Sequence, residues 1–218
     1  MQTKIHAVLF DLDGTILDTN ELIIQSFLSA LAGAVPPGFG REMIIPSMGL
    51  PLEKQLRLFT GRQNVEDLIT AYFDFNSQHH NRLIRLFPFV KEVLDALNRS
   101  GVQLGVVTTK WKSSTTRSLT YLGIMDLMSA IVTLDDVQNP KPHPEPIRMA
   151  LKQLGVMPES AIMVGDSEAD IVSAREAGVV PIGVSWSLKG EEQMKRFGAI
   201  HVIHNMRELL NIVGVNGD

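Results

Sequence analysis

The chain has 218 residues, a formal net charge of −4 and no cysteine, with 44% hydrophobic and 20% charged residues. That length suits one generous domain or a domain with a small insertion, and the absent cysteines exclude a disulfide framework, a zinc–cysteine site and a cysteine nucleophile. The acidic balance, the lack of a basic run and the lack of a long apolar run argue against nucleic acid and membrane as partners, and a cytoplasmic monomer or weak dimer with no signal peptide is the expectation.

Residues 5 to 10 read as a buried strand that ends in Asp11-Leu12-Asp13-Gly14-Thr15. From about Asn20, a plausible N-cap, Ile23, Phe27, Ala30 and Leu31 recur at helix spacing. Gly33, Pro36, Pro37, Gly38 and Gly40 stop that helix. Short helical pieces follow near Arg41 to Ile45 and Leu52 to Phe59, with the loop Ser47-Met48-Gly49-Leu50-Pro51 between them. Asn64 reads as the cap of a long helix with Leu68, Tyr72, Phe75, His79 and Leu83 along one face.

After Pro88 the pattern alternates. Helices are predicted over Phe89 to Leu97, Ser113 to Leu122, Glu145 to Leu154, Ala169 to Ala177, Glu191 to Arg196 and Met206 to Ile212. Strands are predicted at Gln103 to Val107, Ile131-Val132, Ala161 to Val164, Pro181 to Val184 and Ile200 to Ile203. Such alternation with apolar strands implies an α/β fold, a Rossmann-like, mainly parallel sheet covered on both faces. The expected division is a core of 1–17 and 85–218, with a helical cap of 18–84 inserted after the first strand.

In open parallel sheets, ligands bind beyond the carboxyl ends of the strands. Asp11 and Asp13 leave the first strand on the same side, and Gly14 lets the backbone turn after them. Two carboxylates at a buried strand end are costly to keep ionised, and a hard divalent cation such as Mg2+ is the usual compensation. Thr108, Thr109 and Lys110 follow the second core strand. Asp135, Asp136 and then Lys141, in Pro140-Lys141-Pro142-His143-Pro144, follow the third. Gly165, Asp166 and Asp170 follow the fourth. Carboxylates, hydroxyls and lysines collected in one crevice suit phosphoryl transfer.

Those four segments, in this order, resemble the motifs of the haloacid-dehalogenase-like phosphohydrolases. The resemblance implies that Asp11 is a nucleophile forming an aspartyl-phosphate and Asp13 the acid and base. It implies that Thr108 binds the transferring phosphoryl group and Lys141 offsets charge at the nucleophile. It further implies that Mg2+ is held by Asp11, Asp166 and the backbone carbonyl of Asp13, with Asp170 supporting the metal site. Within the superfamily, Asp18 to Ile23, Phe75-Asn76 with His79-His80, Thr108-Thr109-Lys110, Lys141-Pro142-x-Pro144-Glu145-Pro146 and Gly183 to Gly190 resemble the PpaX family of bacterial pyrophosphatases. Phosphoglycolate phosphatases commonly carry Asn where Thr109 stands. The resemblance therefore implies a small phosphorylated substrate, with inorganic pyrophosphate ahead of phosphoglycolate. A sugar-phosphate mutase and a non-catalytic binding protein stay open as alternatives.

Further site candidates are Gly49 at the mouth, Thr109, Lys110 as the ligand of a second phosphate, and Lys54 with Arg57 on the cap as charges that close over an anionic substrate; a solvated surface residue is the alternative reading of each of these cations. Lys189 is open as another contact for the leaving group. His79 and His80 read as packing residues on the cap helix, and Trp186 as packing near a strand end.

Overall fold

The computed structural model describes residues 4–215. The apolar run Ala7–Phe10 forms β1, whose four residues are fully buried. It lies at the centre of a six-stranded parallel sheet with β4 (Gln103–Val107), β5 (Ala130–Val132), β6 (Ala161–Gly165), β7 (Val180–Val184) and β8 (His201–Ile203), in the order β5-β4-β1-β6-β7-β8. The chain leaves β1, returns beside it as β4, continues to the edge as β5 and then crosses to β6 on the other side. The direction of winding thus reverses at β1, which places the ligand crevice at its carboxyl end.

Side chains alternate between the faces with period two. Val8, Phe10, Leu104, Val106, Ile162 and Val164 pack into one layer with α5 (Val90–Arg99), α6 (Lys112–Tyr121) and α10 (Glu208–Val213). Ala7, Leu9, Val107, Ala161 and Met163 pack into the other layer with α7 (Glu145–Leu154) and α8 (Glu168–Ala177). Helix α9 (Glu191–Phe197) adds Met194 beside Gly183 of β7, where a Cβ would sit 2.8 Å from the Met194 Cβ.

Between β1 and α5 the chain builds four helices: α1 (Asn20–Ala30), α2 (Arg41–Ile44), α3 (Leu52–Thr60) and α4 (Glu66–Leu83). They bury their own cluster around Ile24, Phe27, Leu31, Ile44, Leu56, Leu68 and Tyr72. Phe27 meets Tyr72 and Phe59 edge-on at 5.0 and 5.5 Å, contacts worth about 0.5–1.5 kcal/mol each beyond area burial. The predicted cap residue Asn64 lies one position before the cap position of α4, which Val65 occupies, although its side chain accepts the Glu66 amide at 3.0 Å. Asn20 is the first helical residue of α1, and Thr19 occupies the cap position.

The chain enters and leaves this helical block through an antiparallel pair that the sequence pattern does not show: β2 (Leu17–Asp18) and β3 (Arg85–Leu86). Arg85 also pairs with Asp18 at 2.6 Å. Among the described residues no helix is long and apolar enough to cross a membrane.

Candidate active site

The carboxyl ends of β1, β4 and β6 are neighbours in the sheet, so the residues that follow them converge. Asp11, Asp13, Thr108, Thr109, Lys110 and Asp166 line one cavity of about 90 Å3. Its other wall comes from the helical block, with Gly49 and Leu50 at the loop, Gln55 on α3, and Tyr72 and Asn76 on α4.

Lys141 reaches this centre from a distant loop and is 2% exposed. Its ammonium has three protons, and three acceptors take them: Asp11 Oδ1 at 2.6 Å, Asp170 Oδ1 at 2.6 Å and the Val107 carbonyl at 2.7 Å. Burial pulls the ammonium toward its neutral form, but the two carboxylates outweigh it and hold the lysine above its ordinary range. Asp11 sits in the same buried place. Burial, with the nearby charges of Asp170 and Asp13, pushes its carboxyl up to about 7 against the pull of Lys141. Burial does the same to Asp166, reinforced by the charges of Asp170 and Asp11, and raises it well above the carboxylate range.

Asp11, Asp166 and Asp170 place carboxylate oxygens within 4.8 Å of one another. Lys141 bonds two of these groups and has no proton left for Asp166. One ammonium against three carboxylates leaves a deficit that a divalent cation would fill, and an all-oxygen donor set suits Mg2+. Asp170 is the most constrained of the three. Its second oxygen accepts from the Ser167 amide at 3.0 Å and the Ser167 hydroxyl at 2.6 Å, forming the capping box of α8.

The Asp13 carboxylate stands outside that ring. It accepts from Lys110 Nζ at 3.0 and 3.1 Å and from Thr19 Oγ1 at 2.8 Å. Thr19 thereby gives up the hydrogen bond expected of a threonine at a helix N-cap, usually worth about 1 kcal/mol, and spends its hydroxyl on the site. Gly14 turns the chain at φ +85°, and a Cβ there would sit 2.5 Å from Asp166 Oδ2. Only glycine satisfies both the left-handed backbone and this close approach.

Thr108 is buried, and its hydroxyl accepts the Lys110 amide at 3.1 Å. Thr109 lines the cavity, but its hydroxyl donates to the Gly49 carbonyl at 3.1 Å. The structure does not bring Lys54 into the cavity. Its neighbours Gln55 and Leu56 face inward on α3, which turns Lys54 to a separate groove beside Pro140 and His143. Lys189 reaches the Met48 carbonyl at 2.5 Å and does not line the cavity.

His80 is buried between the helical block and α6, with Nε2 2.9 Å from Ser118 Oγ, and His79 stacks on Phe75 at 4.1 Å. Trp186 packs near Phe87 and donates to the Thr15 carbonyl at 3.2 Å. Sequence reasoning missed Ser167, Thr19, Gln55 and Tyr72. The Ser-x-x-Asp spacing before an apolar helix was a readable capping-box signal for Ser167, whereas the other three carry no local signal.

The model of the haloacid dehalogenase-like hydrolases matches residues 8–184. The pyrophosphatase PpaX of Bacillus velezensis is 41% identical over 214 residues, covering 97% of this chain and 98% of that protein. A haloacid dehalogenase-like family hydrolase from Streptococcus pneumoniae superposes with a TM-score of 0.83 at 26% identity, covering 95% of this chain and 98% of the other. A protein described as a predicted phosphoglycolate phosphatase, from Haemophilus somnus, superposes with a TM-score of 0.82 at 25% identity, covering 97% and 99%. The order of strands around β1, the acidic residues at their ends and these whole-length similarities lead to one conclusion: the chain belongs to the haloacid dehalogenase-like hydrolases and is a phosphohydrolase of that family.

Proposed function

We propose that the chain hydrolyses inorganic pyrophosphate in a Mg2+-dependent reaction that passes through an aspartyl-phosphate on Asp11. The observation that carries this reading is Lys110, among the described residues the one cation lining the cavity, placed over both oxygens of Asp13. A phosphate leaving group needs positive charge more than it needs a proton, and Lys110 supplies that charge beside the proton donor.

In this reading Lys141 holds one oxygen of Asp11 and leaves the other free to attack. That oxygen bonds to phosphorus as the bridging P–O bond breaks, and the departing phosphate takes a proton from Asp13. Water then attacks the aspartyl-phosphate, Asp13 takes its proton, and the P–O bond to Asp11 breaks to release the second phosphate. Thr108 orients the transferring group. Asp11, Asp166 and the Asp13 carbonyl would hold Mg2+, fixed in place by Asp170. Bound there, Mg2+ would neutralise charge on the phosphoryl oxygens.

We further infer that 18–84 works as a cap on a core of 1–17 and 85–218. The paired crossings β2 and β3 and the separate apolar cluster of the helices support that division. Closed over a cavity this small, a cap excludes bulk water and large substrates. A cytoplasmic enzyme is the corresponding expectation.

Phosphoglycolate is the second reading, supported by the Haemophilus somnus likeness. Phosphate release with Mg2+, measured side by side on the two substrates with Asp11→Asn as blank, decides between them. Pyrophosphate preference lost in the blank supports the proposal. Phosphoglycolate preference overturns the substrate alone, and activity surviving in the blank overturns the nucleophile.

A further inference from the structure

The loop Ser47–Leu50 touches the core at three points. Lys189 Nζ donates to the Met48 carbonyl at 2.5 Å, and Thr109 Oγ1 donates to the Gly49 carbonyl at 3.1 Å. Gly49 itself, at φ +100°, lies so near Ser167 that a Cβ would come within 2.8 Å of its Oγ.

Each core partner belongs to a loop that also carries a site group. Thr109 follows Thr108, and Ser167 follows Asp166. Lys189 lies two residues after Ser187, whose hydroxyl donates to the Asp166 carbonyl at 2.6 Å and accepts the Lys189 amide at 3.2 Å. The cap loop is also braced from its own side. Gln55, 5% exposed, donates its amide to the Leu50 carbonyl at 2.7 Å and accepts from Ser47 Oγ at 3.1 Å.

A separate contact ties α4 to α6, through His80 with Ser118 at 2.9 Å, Arg117 with the Ser77 carbonyl at 3.1 Å and Tyr121 with the Asn81 carbonyl at 3.1 Å. The helical block therefore meets the core along a helix–helix contact and, separately, at this loop.

We propose that Lys189 is a positioning residue: it clasps the Met48 carbonyl and holds the loop Ser47–Leu50 shut over the cavity without touching substrate. This rests on the phosphohydrolase reading of the site. Because the acceptor is a backbone carbonyl, the clasp reads the position of the loop. Because Ser187 joins the same segment to the Asp166 backbone carbonyl, that position is referred to the chain that carries an acid of the ring.

Lys189→Met keeps most of the stem and removes the donor, while Lys189→Arg restores a donor. Amide exchange is followed in 46–52 and in β1 and β6, alongside phosphate release from pyrophosphate and phosphoglycolate. In Lys189→Met, exchange in 46–52 rises about tenfold, the effect of losing one charge-assisted hydrogen bond, while β1 and β6 stay protected. The value of kcat falls by a similar factor, about tenfold, and equally for both substrates, because a clasp does not distinguish leaving groups. Lys189→Arg recovers most of both. Unchanged exchange in 46–52 overturns the clasp. A loss seen for pyrophosphate alone, as a raised KM, makes Lys189 a substrate ligand and also overturns it. Raised exchange rescued by arginine, in a protein whose wild type releases phosphate from neither substrate, upholds the clasp and overturns the reading of the site.

Discussion

The two walls of the cavity differ in the charge of their polar groups. On the core wall, the carboxylates Asp11 and Asp13 are each paired with a lysine within 3.1 Å, Thr108 accepts a backbone amide at 3.1 Å, and the nearby Lys141 has every proton bonded. On the cap wall, Ile23, Phe27, Leu52 and Phe73 are apolar, and the polar groups are neutral: Gln55, Asn76 and Tyr72. Burial pushes the Tyr72 hydroxyl far above its ordinary range, with a smaller contribution from Asp13, so it stays neutral. Charge fixed in a buried frame determines which bond is made and broken, because preorganised groups need no rearrangement during the reaction. An apolar wall with a few neutral donors sets the size and shape admitted. In the proposed reading the chemistry belongs to the core and the selection to the helices.

The largest break in that contrast comes from the proposed nucleophile. Asp11→Asn lowers phosphate release by about 10⁴-fold or more in a steady-state assay, while the cap-wall variant Asn76→Ala keeps the reaction. Removing the central cation is next. Lys141→Met leaves Asp11 and Asp170 facing each other unpaired and costs about 3–5 kcal/mol, read as a lower urea midpoint at unchanged slope.

Metal removal tests the acidic ring directly. Mg2+ at about a hundred times its Kd raises the unfolding free energy by about 2.7 kcal/mol, chelation reverses the gain, and Asp166→Asn abolishes it. Equal stabilisation of Asp166→Asn and wild type would remove Asp166 from the metal site.

Gly49→Arg acts where the walls meet. Its Cβ collides with Ser167 and its φ is left-handed, so turnover falls about tenfold or more while circular dichroism shows the core still folded, with the unfolding free energy lowered by about 1–3 kcal/mol. Full turnover in a folded Gly49→Arg protein would show that the loop does not close the site. Smallest of all, Asn76→Ala shifts the ratio of kcat/KM between pyrophosphate and phosphoglycolate by a few-fold, about 1 kcal/mol, as a wall residue that shapes selection should.

Much of this is legible in the sequence. The strand at Gln103–Val107 and the helix at Glu145–Leu154 have the bounds that their periodicity indicates, because alternation and helix spacing are local properties. The acids after β1 and β6 and the hydroxyls after β4 could be placed together because parallel strands put their carboxyl ends on one side. The same logic could not place Lys54, whose facing depends on which side of α3 is buried. Nor could it find β2 and β3, two residues each and separated by the whole helical block. So short a pair carries no period to read.

By itself the sequence determined the reaction class: an apolar strand ending in Asp11-x-Asp13-Gly14-Thr15, then Thr108, Lys141 and Asp166 in order. Those residues follow strands whose pattern is written locally. Only the tertiary structure decided who holds whom. It put Lys110 on Asp13, turned Thr19 from capping its helix to the site, and sent Lys189 across 141 positions of chain to the Met48 carbonyl. Such contacts depend on how the helical block sits on the sheet, and residue spacing along a chain does not encode the orientation of one packed unit against another.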